Sequence, residues 1–170
     1  EPLRLMVDEL RLTRSQRRVL KRNQDVRVEV AAAGFCEERL GLFNRHRLER
    51  GLSMSGGSMT AEQYVGWFVQ SCARTVEMRY FVDDRLIGVG IVDVGDKDAS
   101  SVYFYFDPDE HRRSLGTLSV IFETNWLRAR GGRHHYLGLY VADCRHLAYK
   151  ALFHPHERKQ GGRWIRYDAP

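Results

Sequence analysis

The chain has 170 residues, 43% of them apolar, with three cysteines and a net charge of +5. That is enough chain for one domain with a sizeable core, and it lacks both the apolar runs of a membrane span and the cysteine density of a disulfide scaffold. Three widely spaced cysteines, Cys36, Cys72 and Cys144, fit a reducing compartment, so a cytoplasmic protein is expected.

The basicity is local. Arg11, Arg14, Arg17, Arg18, Lys21 and Arg22 fall within residues 11–22 without one acid; the rest of the chain holds 21 basic against 22 acidic residues. A concentrated stripe of this kind suits a phosphate-rich partner better than a solvated surface, where charges of both signs mix.

In chain order, Leu3–Val7 alternates as a short strand. The spacing predicts a helix from a Thr13 or Ser15 cap through Asn23, with Leu12, Val19 and Leu20 inward and Arg14, Arg17, Arg18, Lys21 and Arg22 outward. Val26–Val30 alternates again, and Glu37–Arg50 reads as an amphipathic helix with Leu40, Phe43 and Leu48 inside. The glycine- and serine-rich stretch Gly51–Met59 is expected to be a mobile or ligand-covering loop. Thr60 caps the next helix, with Glu62-Gln63 near the capping-box position and Tyr64, Trp67 and Phe68 inside. The period then changes to two: Val76–Val82, a turn at Asp83-Asp84, Leu86–Val94, a turn at Gly95–Asp98, and the strand Ser101–Phe106. The unbroken run Val102–Phe106 predicts a strand buried on both faces.

Asp107-Pro108-Asp109 ends that strand, and a helix follows with Leu115, Leu118, Phe122, Trp126 and Ala129 on one face, Ser114 as its cap and Gly131-Gly132 as its stop. The loop between carries Arg112 and Arg113 and opens onto unpaired helix N–H groups at Ser114, Leu115 and Gly116, the makings of an anion seat. His134–Tyr140 then alternates as a strand, Cys144–Ala151 as a short helix, and Trp164–Tyr167 as an edge strand. Cys144-x-His146 and His154-x-His156 do not match a zinc module, and neither a metal nor a cofactor is expected.

Arg113-x-x-Gly116-x-Leu118 resembles the arginine-x-x-glycine-x-small pattern with which GNAT-fold acyltransferases cradle a pyrophosphate, with Leu118 departing at the last position. Five ordered segments carry a longer resemblance: Phe106-Asp-Pro-Asp109, Arg113–Thr117, Tyr136-Leu-Gly138, Tyr149–Pro155 and Gly162-Arg-Trp164. With them the whole chain, residues 1–170, resembles a single domain of the arginyl-tRNA–protein transferases and bacterial aspartate/glutamate leucyltransferases. The resemblance implies an α+β, GNAT-like fold, a mixed and mostly antiparallel sheet flanked by helices. It implies transfer of arginine or leucine from aminoacyl-tRNA to the α-amine of proteins with an acidic N-terminus, the product being a signal for degradation.

It also implies roles. Asp107, Asp109 and Glu123 are the candidates for catalysis by carboxylate. Arg112, Arg113, Ser114, Leu115 and Gly116 would seat the donor's phosphates, and Tyr136, Gly138, Tyr140, Tyr149 and Lys150 the acceptor or the tRNA terminus. The basic helix would follow the tRNA backbone. The family's cysteine-rich segment does not occur in these residues, so the chain is expected to be a fragment or a short relative. The competing expectations are an acetyl-coenzyme A-dependent N-acetyltransferase and a non-catalytic module that binds tRNA or acidic N-termini.

Overall fold

The computed structural model describes residues 1–52 and 57–168. Chain order runs β1 (Pro2–Met6), α1 (Arg14–Arg22), β2 (Val26–Ala32), α2 (Glu37–Glu49) and α3 (Ala61–Tyr64), the last continuing as a π-type turn over Val65–Val69. β3 (Arg74–Val82), β4 (Arg85–Val94) and β5 (Asp98–Phe106) form a meander, followed by a 3-10 turn at Pro108–Arg113 and α4 (Leu115–Ala129). The chain closes with β6 (His134–Leu139), α5 (Arg145–Ala148) running into a 3-10 turn at Tyr149–Leu152, β7 (His156–Gln160) and β8 (Arg163–Tyr167).

All eight strands join one sheet in the order β2-β3-β4-β5-β6-β1-β7-β8. Every pairing is antiparallel except β5 with β6, and that parallel contact spans only Asp98–Ser100 against His134–Tyr136. Beyond Ser100 and Tyr136 the strands part, opening a V in the sheet beside the start of α4. This is the α+β, GNAT-like arrangement expected from the sequence.

Burial follows the period-two pattern. On one face Met78, Tyr80, Ile87, Leu115 and Leu118 pack with Val19 of α1, and Leu3, Leu5, Ile121 and Leu137 extend that layer under α4. On the other face Phe43, Tyr64, Phe68 and Tyr105 form an aromatic cluster beneath α2 and α3, with ring centroids 5.1–6.5 Å apart. Edge-to-face pairs of this kind contribute about 0.5–1.5 kcal/mol each beyond their buried area.

The helix starts obey their sequence signals. Thr13 and Thr60 each accept from the N–H three residues on, while Gln16 and Gln63 return the bond to the cap N–H. α4 stops where expected: Gly131 N–H donates to Arg128 O at 2.9 Å and Gly132 N–H to Leu127 O at 3.0 Å.

Several expectations are corrected. β5 is not buried on both faces: Val102 is 45% exposed because it is the extra residue of a β-bulge, lying between Ser101, opposite Val92, and Tyr103, opposite Ile91. Leu48 and Trp67 point outward, 68% and 66% exposed, because the aromatic cluster is already filled by their neighbours Phe43, Tyr64 and Phe68. Ser114 occupies the cap position of α4, yet its backbone is left-handed (φ 56°, ψ 48°) and its side chain makes no capping bond. β7 adds a strand that the apolar pattern does not signal: His156–Gln160 is charged and lies between β1 and β8, where its backbone rather than its side chains makes the sheet. Of the Gly51–Met59 loop, residues 53–56 lie outside the described residues.

Candidate functional site

The loop before α4 is built on salt bridges. Asp107, buried at the end of β5, accepts from Asp109 N–H at 3.1 Å and starts the 3-10 turn. Its two oxygens are taken by Arg45 at 2.9 Å and Arg85 at 2.6 Å. Asp109 pairs with Arg45 at 2.8 Å, and that contact, above all its hydrogen bond, holds the Asp109 carboxyl below the usual carboxylate range. Arg113 binds both oxygens of Asp25, at 2.9 and 2.8 Å, and Glu110 at 2.6 Å. Asp107, Asp109 and Arg113 are therefore committed to holding the loop, and none presents an unpaired charge to a ligand. No sequence signal distinguishes these buttresses from ligand-facing charges, since the arginine partners of Asp107 and Asp109 lie 22–64 positions away and Asp25 lies 88 positions from Arg113.

The loop turns sharply at Ser114 and enters α4. Thr117 and Leu118 N–H both donate to Ser114 O, while the N–H groups of Leu115 and Gly116 make no backbone bond among the described residues. Arg112 is exposed and carries no ion pair among the described residues. Leu118, at the position where the nucleotide-cradling pattern has a small residue, is turned into the core.

The basic helix is fastened over this turn. Arg22 donates to Arg112 O, the buried Asn23 amide to Arg113 O at 2.9 Å, and the Gln16 amide to Leu152 O at 3.0 Å. A cavity of about 330 Å³ lies between α1, the start of α4 and the 3-10 turn after α5, lined by Thr13, Ser15, Gln16, Ser114, Thr117 and Tyr149 among others. Among the described residues, no carboxylate lines it. On α1, Arg14, Arg17, Arg18, Lys21 and Arg22 are all exposed, and none pairs with an acid among the described residues; Arg17 is bent onto Leu12 O at 2.6 Å.

Tyr149 and Lys150 reach the site from the last 3-10 turn. A side chain at Gly116 would come within 3.6 Å of the Tyr149 hydroxyl, so the phenol stands directly over the first turn of α4. Burial, with Glu123 adding to it, pushes the Tyr149 phenol up to about 12, so it keeps its proton. Lys150 Nζ donates to Leu139 O at 3.3 Å beside Gly138, whose φ of 78° suits glycine, and burial lowers the lysine's pKa. Tyr136 and Tyr140 are not brought to this cavity. The Tyr136 hydroxyl accepts from Arg4 at 3.1 Å and its ring meets Trp164, whereas Tyr140 lies under Arg158 at 3.9 Å.

Glu123 departs most from expectation. It is 3% exposed rather than on the polar side of its helix. Ser101 donates to Oε2, and His135 Nε2 lies 3.1 Å from Oε2 and 2.8 Å from Ser101 Oγ. On the far side of the ring, His135 Nδ1 meets Thr124 Oγ1 at 2.8 Å, and Thr124 spends its own proton on Val120 O at 2.7 Å. Thr124 then accepts from Nδ1–H, while Nε2 stands within hydrogen-bond reach of both Ser101 Oγ and Glu123 Oε2. Glu123, Ser101, His135 and Thr124 thus form one buried hydrogen-bonded network in which the ring of His135 has a polar partner at each nitrogen. The pair of Glu123 and His135 ties α4 to β6 at His135, opposite Ala99, and to β5 through Ser101, one residue beyond the last β5–β6 pairing. Sequence offered one signal for it, the glycines in β4: a Cβ at Gly90 would stand 3.0 Å from Glu123 Oε1.

A V opened between parallel strands, beside a helix N-terminus, is the arrangement of a GNAT-like fold. The solved structures agree on the fold: L-PGS from Bacillus licheniformis superimposes with a TM-score of 0.58 at 13% identity, covering 87% of this chain and 49% of that one. An aminoglycoside acetyltransferase from an uncultured soil metagenomic sample gives 0.53 at 14%, covering 76% and 88%. The family described as arginine-tRNA-protein transferase, C terminus, matches residues 38–160, and the chain belongs to it. Proteins named aspartate/glutamate leucyltransferase are 31% identical over 96% of the chain in Marinobacter nauticus and 36% identical over 91% in Stenotrophomonas maltophilia. The chain spans 69% and 64% of the length of these two relatives.

Proposed function

We propose that the chain carries the acyl-transfer site of an aminoacyl-tRNA–protein transferase, moving leucine in preference to arginine from tRNA to the α-amine of a protein that begins with Asp or Glu. The observation that carries this reading is the unneutralised basic face of α1 fastened across a cavity from the open N-terminus of α4. A polyanion whose 3′ end enters that cavity satisfies both, whereas coenzyme A has no use for an entire basic helix. Leucine is favoured over arginine because no carboxylate among the described residues lines the cavity and a guanidinium there would have no counter-charge. The relatives' name points the same way.

In this reading, Arg112 and the Leu115 and Gly116 N–H groups hold the terminal phosphates, and Gly138 and Lys150 border the acceptor's path. The acceptor nitrogen attacks the ester carbonyl, an oxyanion forms, and the C–O bond to the ribose breaks as the amide is made. One ammonium proton goes to solvent before attack, and the second, lost from the nitrogen as the amide forms, ends on the ribose oxygen, which leaves as a hydroxyl. Tyr149, protonated throughout, is the donor nearest the helix turn and suits either the oxyanion or the departing oxygen. A dedicated base is not required: an α-amine with a pKa of about 7.7–8.0 is roughly a third free base near pH 7.5, while a lysine amine is almost wholly protonated. The same difference favours N-termini over lysine side chains.

The test is transfer from leucyl- and arginyl-tRNA, with acetyl-coenzyme A as a third donor, to peptides beginning with Asp, Glu, Asn or Ala. Leucine should appear on the Asp and Glu peptides. Arginine transfer at equal rate would refute the donor preference, and acetyl transfer without aminoacyl transfer would refute the reading as a whole.

A further inference from the structure

The arginines around the V divide into two groups. Arg45, Arg85 and Arg113 are each held by at least two carboxylates. Arg47 and Arg50, one turn apart at the end of α2, have none among the described residues, although both are half-buried. Arg50 is instead positioned by neutral groups: Nη2 donates to His146 Nδ1 at 2.7 Å, and the guanidinium lies 5.1 Å from the centre of the Phe106 ring. Arg47 lies 5.5 Å from the centre of the Phe43 ring. Burial raises the Tyr103 phenol's pKa, and the charges of both arginines oppose it; Arg50 acts likewise on Tyr149. Tyr103 belongs to the part of β5 that has no β6 partner, and Tyr149 lines the cavity. The two guanidiniums thus stand at the mouth of the V, half-desolvated, like-charged and lacking an anion. Such a pair is unfavourable until a carboxylate joins it.

We propose that Arg50, supported by Arg47, is the specificity subsite that receives the side-chain carboxylate of the acceptor's N-terminal Asp or Glu. The assignment rests on the transfer reading above and names a part of the acceptor site that it leaves open. Arg113 is already saturated by Asp25 and Glu110. Lys150, the other cation at the V, is turned onto Leu139 O and lacks the fork that a carboxylate fits.

Binding of two peptides that differ only in Asp or Asn at the first position, measured by calorimetry on the chain without tRNA, separates the possibilities. The wild type should prefer the Asp peptide by about 10- to 100-fold, the range of one charge-assisted hydrogen bond. Arg50→Ala should erase the preference, and Arg50→Lys should restore only part of it. Arg50→Gln, whose fold is checked by circular dichroism, serves in place of the alanine variant if that one fails to fold. A preference kept in the folded Arg50→Ala or Arg50→Gln protein overturns the subsite and leaves the transfer reading standing. A wild type that binds both peptides equally overturns the acidic-acceptor reading and the subsite together.

Discussion

Glu123 and His135 offer a sharp test of how the V is held. Replacing Glu123 with leucine keeps most of the side-chain volume but takes the carboxyl partner from His135 Nε2 and the Ser101 hydroxyl, where Glu123 is 3% and His135 0% exposed. Removing one member of a buried pair costs about 3–5 kcal/mol, whereas replacing both with apolar groups is often close to neutral. The double replacement Glu123→Leu/His135→Leu should therefore recover most of the loss. Thr124 still has its bond to Val120 O, so Ser101 is the polar group left to find a new partner. For a domain of this size, about 3–5 kcal/mol corresponds to a fall of roughly 6–20 °C in Tm, with the double variant much nearer the wild type. Urea titrations of the four proteins give the coupling energy directly. Additive costs would mean that the two side chains do not support each other in the way their 3.1 Å contact implies.

Two further outcomes concern the charges. Replacing Arg14, Arg18 and Lys21 with glutamine should flatten the salt dependence of tRNA binding, by about 0.7–0.9 log units per log unit of salt for each phosphate that is no longer neutralised. An unchanged slope would return α1 to an ordinary solvated face. Burial lowers the pKa of His46 and of His156 to about 4, with Phe106 N–H donating to His46 Nδ1 at 3.1 Å and Arg158 donating to His156 Nε2 at 3.0 Å. Both rings are thus neutral when folded and take up a proton on unfolding below about pH 6.5, so their contribution to stability is complete above that pH and is lost as pH falls toward 4. Urea midpoints that stay constant from pH 7 to 4.5 would contradict this.

Sequence made the order of elements, the basic helix and the turn into α4 legible, because each rests on local signals. Caps, glycine stops, like charges and a change of period all act within a few residues. The pairings that assign work to individual side chains are not local. Asp107 looks the same in sequence whether it faces a substrate or two arginines, and Arg45 and Arg85, which decide the matter, come from α2 and β4. Glu123 escapes the sequence pattern for a related reason. A helical wheel places it among polar neighbours, but α4 is sheathed on most sides, and Ser101 and His135 receive its charge inside. Tyr136 and Tyr140 share the cleft strand's neighbourhood in sequence, yet the pleat and the turn after Leu139 carry them elsewhere.

The electrostatic arrangement explains why an arginine-rich chain invests its acids so unevenly. Asp107, Asp109, Glu110 and Asp25 gather against Arg45, Arg85 and Arg113, and nothing comparable among the described residues faces α1 or the pair Arg47 and Arg50. Had those acids been spread evenly, every cation would be half-satisfied and none selective. Concentrated on the loop, they fix the start of α4, and two uncompensated positive surfaces remain with different physical characters. The one on α1 is long, exposed and screened by salt, suited to a polyanion approaching from the α1–α4 face of the sheet. The one at the end of α2 is short and half-desolvated, where a single carboxylate counts for far more. α1 and α2 pack on opposite faces of the sheet, with the V between them. Donor and acceptor recognised by these surfaces would meet at the V from opposite sides, the geometry a transfer between two large molecules requires if neither is to block the other.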